Sequence, residues 1–357
     1  MNPRLVTAEA AAADLASFDL VIDVRSPTEF AEDHLPGAVN WPVLDDDERR
    51  IVGTLFKQVS ALQARKIGAV MAARRIATHL EAHLHDKPRD WAPLVYCWRG
   101  GQRSGSLAWF LAQVGFRTAQ LQGGYKAFRG VVRDGLQALP QRLDFVVLCG
   151  RTGSGKTRLL QSLSRAGAQV LDLEGLACHR GSVLGALPDL AQPSQKHFDT
   201  TVWQALAGFD PARPVFVESE SKRIGRVQVP EALLLRMREH GRCVRVEVPD
   251  DERIRMLLQD YAFFANDAPR FCALLEALVE LRGHAQVQAW QALARQGRWA
   301  EVFAELMARH YDPLYERSMD RHFLHLADAT VLRIDSGDRM DEAARELLAQ
   351  AAAGMPG

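Results

Sequence analysis

Eight consecutive residues, Gly150-Arg151-Thr152-Gly153-Ser154-Gly155-Lys156-Thr157, constrain this chain more than any other stretch of it. A G-x-x-x-x-G-K-[ST] run works as a phosphate loop where a strand feeds it and a helix leaves it. Phe145–Leu148 is apolar enough to be that strand, and a helical stretch follows Lys156. The motif therefore predicts an α/β fold with largely parallel strands. Its glycines let successive backbone N–H groups turn toward a phosphate, to which the helix N-terminus adds its positive dipole end. Lys156 would reach the outer phosphate, and Thr157 would offer its hydroxyl to Mg²⁺. The motif is specific for phosphate and silent about the reaction. Downstream, Val215-Phe216-Val217-Glu218-Ser219-Glu220 reads as a Walker B strand ending in Glu218 or Glu220 where Asp is usual. The same two glutamates read equally well as ordinary surface residues.

A second loop carries different chemistry. Tyr96-Cys97-Trp98-Arg99-Gly100-Gly101-Gln102-Arg103-Ser104 places a cysteine at a strand end, then a Gly-containing turn, then a helix. A thiol there lies under converging backbone N–H groups, near Arg99 and Arg103 and at a helix N-terminus, surroundings that favour the reactive thiolate. The same N–H groups could hold an anion or a terminal chalcogen on the sulfur. A buried, inert cysteine is the plainer alternative.

Two such loops in 357 residues suggest two domains, placed at 1–137 and 138–357. Further strands are expected at Leu20–Val24, Leu94–Cys97, Thr118–Leu121, Gln169–Leu173, Pro214–Val217, Arg242–Val248 and Thr330–Ile334. Asp45–Leu84 is charged and helix-periodic, with Arg49, Arg50, Arg74 and Arg75 expected on exposed faces. The interval from about 251 to 319 lacks strand signals and reads as an inserted helical subdomain. Lys+Arg and Asp+Glu each total 44, so no global positive field advertises a nucleic-acid partner, although a local basic face remains open. The five cysteines stand singly, without zinc-site spacings, which fits a reducing cytoplasmic compartment. Glu9 and Asp14 interrupt the only apolar stretch near the N-terminus, against a signal peptide. No run approaches the roughly 18 apolar residues of a membrane span.

Around the cysteine loop, Asp23-Val24-Arg25-Ser26-Pro27, Glu29-Phe30, His34-Leu35-Pro36-Gly37-Ala38-Val39-Asn40 and Gly123-Gly124-Tyr125-Lys126-Ala127 resemble the framework of a rhodanese domain. Asp23 with Arg25, and His34 with Pro36 and Gly37, are expected to be scaffold. One departure matters: five residues separate Cys97 from Arg103, one more than the rhodanese loop usually has. That C-x₅-R spacing is shared with dual-specificity and low-molecular-weight phosphatases, whose wider loop fits a tetrahedral oxyanion.

A rhodanese-like domain followed by a P-loop NTPase-like domain resembles the bacterial tRNA 2-selenouridine synthase family. The likeness extends through Asp172-Leu173-Glu174-Gly175-Leu176-Ala177, His179-Arg180-Gly181-Ser182, Pro193-Ser194-Gln195-Lys196, Glu218–Gly225 and His310-Tyr311-Asp312-Pro313-Leu314-Tyr315. It implies a cytoplasmic transferase that replaces the sulfur of wobble 2-thiouridine by selenium in tRNAs for Lys, Glu and Gln. The sulfur is first geranylated from geranyl diphosphate, and selenium from selenophosphate then displaces the geranylthio group. On this resemblance Cys97 would carry the selenium as a selenylsulfide in the loop of Trp98, Arg99, Gly100, Gly101, Gln102 and Arg103. The P-loop would grip the diphosphate of the geranyl donor. His179 and Arg180, and Lys222, Arg223 and Arg226, are candidates for contacts to donor phosphate or tRNA, or else solvated basic turns. Tyr261, Phe263 and Phe264 read as helix core before a geranyl slot, and Cys149, Cys178, Cys243 and Cys272 as small core residues. Two rivals stand beside this reading: a C-x₅-R phosphatase, which lacks the usual His before its cysteine because Tyr96 is there, and a nucleotide-gated binding protein with a rhodanese module.

Overall fold

Short β-branched and apolar runs form two separate parallel sheets, and each active loop leaves the middle strand of its own sheet. The structure, a computed structural model, describes residues 2–188 and 190–352. Cα packing divides it into two units, Met1–Gly135 with Asp199–Gln204, and Leu136–Phe198 with Ala205–Gly357.

The first unit contains β1 (Arg4–Val6), α1 (Ala8–Ala13), β2 (Leu20–Asp23), α2 (Pro27–Glu32), β3 (Val39–Asn40), α3 (Asp46–Gln58), α4 (Ala61–His83), β4 (Pro93–Tyr96), α5 (Gln102–Val114), β5 (Ala119–Leu121) and the start of α6 (Gly124–Ala138). Its strands pair in parallel in the order β1-β5-β4-β2-β3, with β4 central. Residues at the carboxyl end of a central parallel strand are where such sheets bind ligands, and Cys97 directly follows β4. Asp45 and Glu48 cap α3 reciprocally, each accepting the other's backbone N–H. The expected helical stretch thus becomes two helices broken at Val59-Ser60, with Ser60 capping the second. Arg50 and Arg74 are exposed as expected, but Arg49 and Arg75 are half-buried. Arg75 donates to Glu48 at 2.8 Å and pairs with Asp45, while Arg49 lies 3.7 Å from Glu29. Helical periodicity alone could not foresee acids from a neighbouring element.

The second unit continues with β6 (Phe145–Cys149), α7 (Lys156–Arg165), β7 (Gln169–Leu171), α8 (Leu173–Ala177), α9 (Gln195–Ala207), β8 (Val215–Glu218), a hairpin of β9 (Arg223–Ile224) and β10 (Val227–Gln228), α10 (Glu231–His240) and β11 (Arg242–Glu247). Helices then run without a strand through α11 (Asp250–Asp260), α12 (Ala268–Leu275), α13 (Val279–Arg282), α14 (His284–Arg295), α15 (Trp299–Leu306) and α16 (Asp312–His322), before β12 (Thr330–Arg333) and α17 (Met340–Ala352). The main sheet is parallel in the order β12-β11-β6-β8-β7. The helical run has its own apolar cluster, in which Tyr261 and Phe264 are buried around Trp290 and Phe271. Those rings are core, filled rather than open. Cys149, Cys243 and Cys272 are buried, whereas Cys178 is half-buried with φ +49° at the end of α8. Among the described residues no helix is long and apolar enough to cross a membrane.

Candidate functional site

In the first unit the cysteine loop is built by tying down its carbonyls. Tyr125 N–H donates to Cys97 O at 2.8 Å and Lys126 N–H to Trp98 O at 3.0 Å. Gln120 Nε2 donates to Gly100 O at 2.8 Å, and Gly105 N–H to Gly101 O at 2.9 Å. Among the described residues, the N–H groups from Trp98 to Ser104, by contrast, have no protein acceptor. Those of Gln102, Arg103 and Ser104 are the free donors of the first turn of α5, and with the loop donors before them they are available to an anion beside the thiol. Gly100 adopts φ +65° in this turn, and a Cβ on Gly124, itself at φ +58°, would collide with Gly100 N. The glycines are thus required by close backbone approach.

Cys97 is 3% exposed, and its Sγ lies 3.2 Å from the Ser104 hydroxyl. Gln120 Nε2 donates to that hydroxyl at 3.1 Å, and the single hydroxyl proton has two acceptors at 3.2 Å, Cys97 Sγ and Gly101 O. Arg103 does not stand unpaired beside the thiol. Its guanidinium forks onto Glu29 at 2.7 and 3.3 Å, and Glu29 also accepts the Ser26 N–H at 3.1 Å. Burial pushes the Glu29 carboxyl up, but its bonds to Arg103 outweigh this and hold it below the usual range. Arg99 is exposed. The scaffold expectation is met by Arg25, which is fully buried, forks onto Asp23 at 2.6–3.0 Å and stacks 3.9 Å from the Tyr125 ring centroid. His34 stacks on Phe30, and Gly37 turns with φ +71°.

The P-loop of the second unit is a cradle of the same kind. Apart from Ser154, whose N–H donates to Arg151 O, no N–H from Arg151 to Arg158 has an acceptor among the described residues. Lys156 folds back to donate to Gly150 O at 2.6 Å, and Thr157 Oγ1 donates to Glu174 at 3.2 Å. The loop is pinned from outside by Arg253, 2% exposed, which donates twice to Thr152 O and forks onto Asp312 at 2.6 and 3.0 Å.

Glu218 and Glu220 are both buried, so the surface reading fails. Register places Glu218 beside Leu148, next to the loop. One of its oxygens accepts Glu174 N–H at 2.9 Å, and the other is buried without a partner. Burial, then the charges of Asp172, Glu220 and Glu174, holds Glu218 well above the usual carboxylate range. Burial and the neighbouring Glu174 push Glu220 up to about 8 despite Lys156. Glu174 is raised by burial as well. The third carboxyl, Glu174, together with Arg253 and Asp312, was missed as site chemistry. Only the Thr157 and Thr152 contacts, made across the fold, identify them.

An open cavity of about 640 Å³ adjoins the loop at Gly150, Arg151 and Ser154, with Arg245, Arg253 and Arg333 facing Glu247, Glu316 and Asp335 in its lining. His179 and Arg180 are not a solvated basic turn. His179 is 8% exposed and burial lowers its basicity, while Arg180 donates to Asp260 O and stacks 4.8 Å from the Tyr261 ring centroid. Lys222, Arg223 and Arg226 are exposed on the β9–β10 hairpin, which turns at Gly225 with φ +57°. In the first unit, α3, α4 and α5 enclose an apolar groove of about 700 Å³, lined by Val52, Phe56, Ala69, Trp109 and Phe110 together with Gln102 and Arg103 of the thiol loop.

Residues 7–130 match the family described as Rhodanese-like domain, and residues 143–273 the family described as tRNA 2-selenouridine synthase AAA domain. A tRNA 2-selenouridine synthase of Alcanivorax borkumensis is 33% identical over 333 residues, covering 84% of this chain and 90% of that protein. One of Nitrosomonas europaea is 35% identical over 268 residues, covering 73% and 68%. Among solved structures, the N-terminal domain of a putative ATP/GTP binding protein from Clostridium difficile 630 is 33% identical, with TM-score 0.32, over 36% of this chain and 98% of that one.

Proposed function

The chain belongs to the tRNA 2-selenouridine synthase family, and from that membership we propose that it is a tRNA-modifying transferase acting on wobble 2-thiouridine in tRNAs for Lys, Glu and Gln. The observation that carries this reading is the presence in one chain of two cradles of unpaired N–H groups, one beside Cys97 and one beside Lys156.

A 2-thiocarbonyl carbon has no good leaving group. Geranyl diphosphate supplies one: the thiocarbonyl sulfur bonds to the geranyl carbon, and diphosphate departs with the electron pair of the broken C–O bond. The P-loop amides and Lys156 would hold that departing charge. Selenium from selenophosphate then bonds to C2, and the geranylthiolate leaves and takes up a proton. The apolar groove that shares Gln102 and Arg103 with the thiol loop offers the geranyl chain an apolar wall during this second step.

Thr157, Glu174 and Glu220 are hard oxygen donors of the kind Mg²⁺ takes. Among the described residues no three His, Cys, Asp or Glu side chains form a metal cage, so Mg²⁺ would need the diphosphate for much of its coordination. Bound there, it would neutralise leaving-group charge.

The direct test is mass spectrometry of bulk tRNA nucleosides from cells with and without the gene. Loss of 2-selenouridine with the gene, and its return on complementation, is expected; unchanged 2-selenouridine removes the proposal.

A further inference from the structure

We propose that Cys97 takes the phosphoryl group of selenophosphate, not its selenium, and so releases selenide beside the base. The inference rests on the proposed function, which makes selenophosphate the donor. Three observations carry it.

The first is the number of donors. Carbonyls of the loop at Cys97, Trp98, Gly100 and Gly101 are all tied to other groups, and the seven N–H groups from Trp98 to Ser104 are left unpaired. A single selenium atom on a sulfur can use few of them. A phosphoryl group on the same sulfur presents three oxygens in a tetrahedral array, each able to accept from such donors. The five-residue spacing from Cys97 to Arg103 gives the wider turn such a group needs, and Glu29 holds the Arg103 guanidinium at the end of that turn.

The second is the Ser104 hydroxyl, 3.2 Å from both Cys97 Sγ and Gly101 O, whose proton turns to the sulfur when charge forms there. A carrier of selenium gains little from a donor to the inner sulfur. A sulfur that must leave phosphorus as a thiolate gains a great deal, because the hydroxyl stabilises the charge that forms on it.

The third is electron balance. A selenylsulfide holds selenium at the elemental level, so its formation from selenophosphate would expel phosphite or demand an added oxidant. Attack at phosphorus needs neither. The Cys97 thiolate bonds to phosphorus, and the P–Se bond breaks with its electron pair on selenium, giving S-phosphocysteine and hydrogen selenide anion. Selenide bonds to C2 of the S-geranylated base and geranylthiolate departs. Water then attacks phosphorus, the S–P pair returns to Cys97, and inorganic phosphate leaves.

The test is to mix the full chain with S-geranylated tRNA and selenophosphate carrying ³²P or, in parallel, ⁷⁵Se, and to quench by denaturation under non-reducing conditions. The proposal expects ³²P on the Cys97 peptide, ⁷⁵Se in tRNA without a selenium-bearing Cys97 peptide, and phosphate without phosphite by ³¹P NMR. Ser104→Ala should slow phosphate release by about ten- to a hundredfold and raise the trapped phosphoenzyme, since a hydrogen bond to a forming charge is lost. Selenium on Cys97, phosphite as product, or turnover with neither label on Cys97 would overturn the inference and leave the proposed function standing. If the wild-type chain makes selenouridine without consuming selenophosphate, the donor assignment itself fails.

Discussion

Glu220 is where a single residue makes the second unit sensitive to pH. In the unfolded chain its carboxyl gives up its proton near about 4.3, whereas burial and Glu174 carry it to about 8 in the fold. The folded state therefore binds the extra proton between those values. Stability from this group is fully present below the unfolded value and is lost as pH climbs toward about 8. Unfolding by denaturant should show the wild type losing on the order of 2 kcal/mol between about pH 5 and about pH 8. Glu220→Gln should lose clearly less; an equal loss would mean Glu220 does not hold the proton. Cys97 governs the other unit. Cys97→Ser places a hydroxyl beside Ser104, so stability should shift by less than about 1 kcal/mol, while selenation stops because an alkoxide does not form readily. Nucleoside analysis should then find S-geranylated tRNA accumulating. Continued 2-selenouridine would refute the covalent role.

At the scale of elements, β6, the P-loop and α7 act as one phosphate-holding unit. Arg253 on α11 and Asp312 at the start of α16 brace it from the helical run, where a π-helical turn at Met307–Tyr311, of the sort often found at functional sites, leads directly into Asp312. Lys156→Ala removes the one cationic group within the loop motif besides the exposed Arg151. Geranyl diphosphate binding should weaken by about a hundredfold, the size expected for one charge-stabilising donor, and geranylation should stop. Selenation of tRNA already geranylated should persist without any nucleotide. Its failure in the folded variant, or an ATP requirement in the wild type, would return the loop to an ordinary nucleotide role.

For the whole molecule, 44 basic and 44 acidic residues leave no net charge to attract tRNA. Binding must draw on a local basic surface, and the exposed hairpin with Lys222, Arg223 and Arg226 is the surface we propose for it. Affinity for tRNA should therefore fall steeply with salt, by about one log-log slope unit per phosphate neutralised. Reversing Arg223 and Arg226 to Glu should weaken binding and flatten that slope in filter-binding titrations across salt. Wild-type affinity in the double variant would move the tRNA surface elsewhere.

Local sequence was enough wherever one short run carries both the turn and the chemistry. The P-loop, the Cys97 loop and the apolar strands feeding them are legible because glycine spacing and buried β-branched residues act within a few positions. β1, β3 and the β9–β10 hairpin are not: three residues or fewer, none of them an unbroken buried run, they lack the apolar stretch that marks the central strands. Nor could sequence decide what lies opposite a side chain. Arg103 is paired by Glu29 and the thiol by Ser104, and Glu218 is buried beside Glu174 through the register of β8 against β6. Arg253 reaches the P-loop from a helix 101 residues away in sequence. Those partners set charge, protonation and donor supply at each site, and only packing across the fold brings them together.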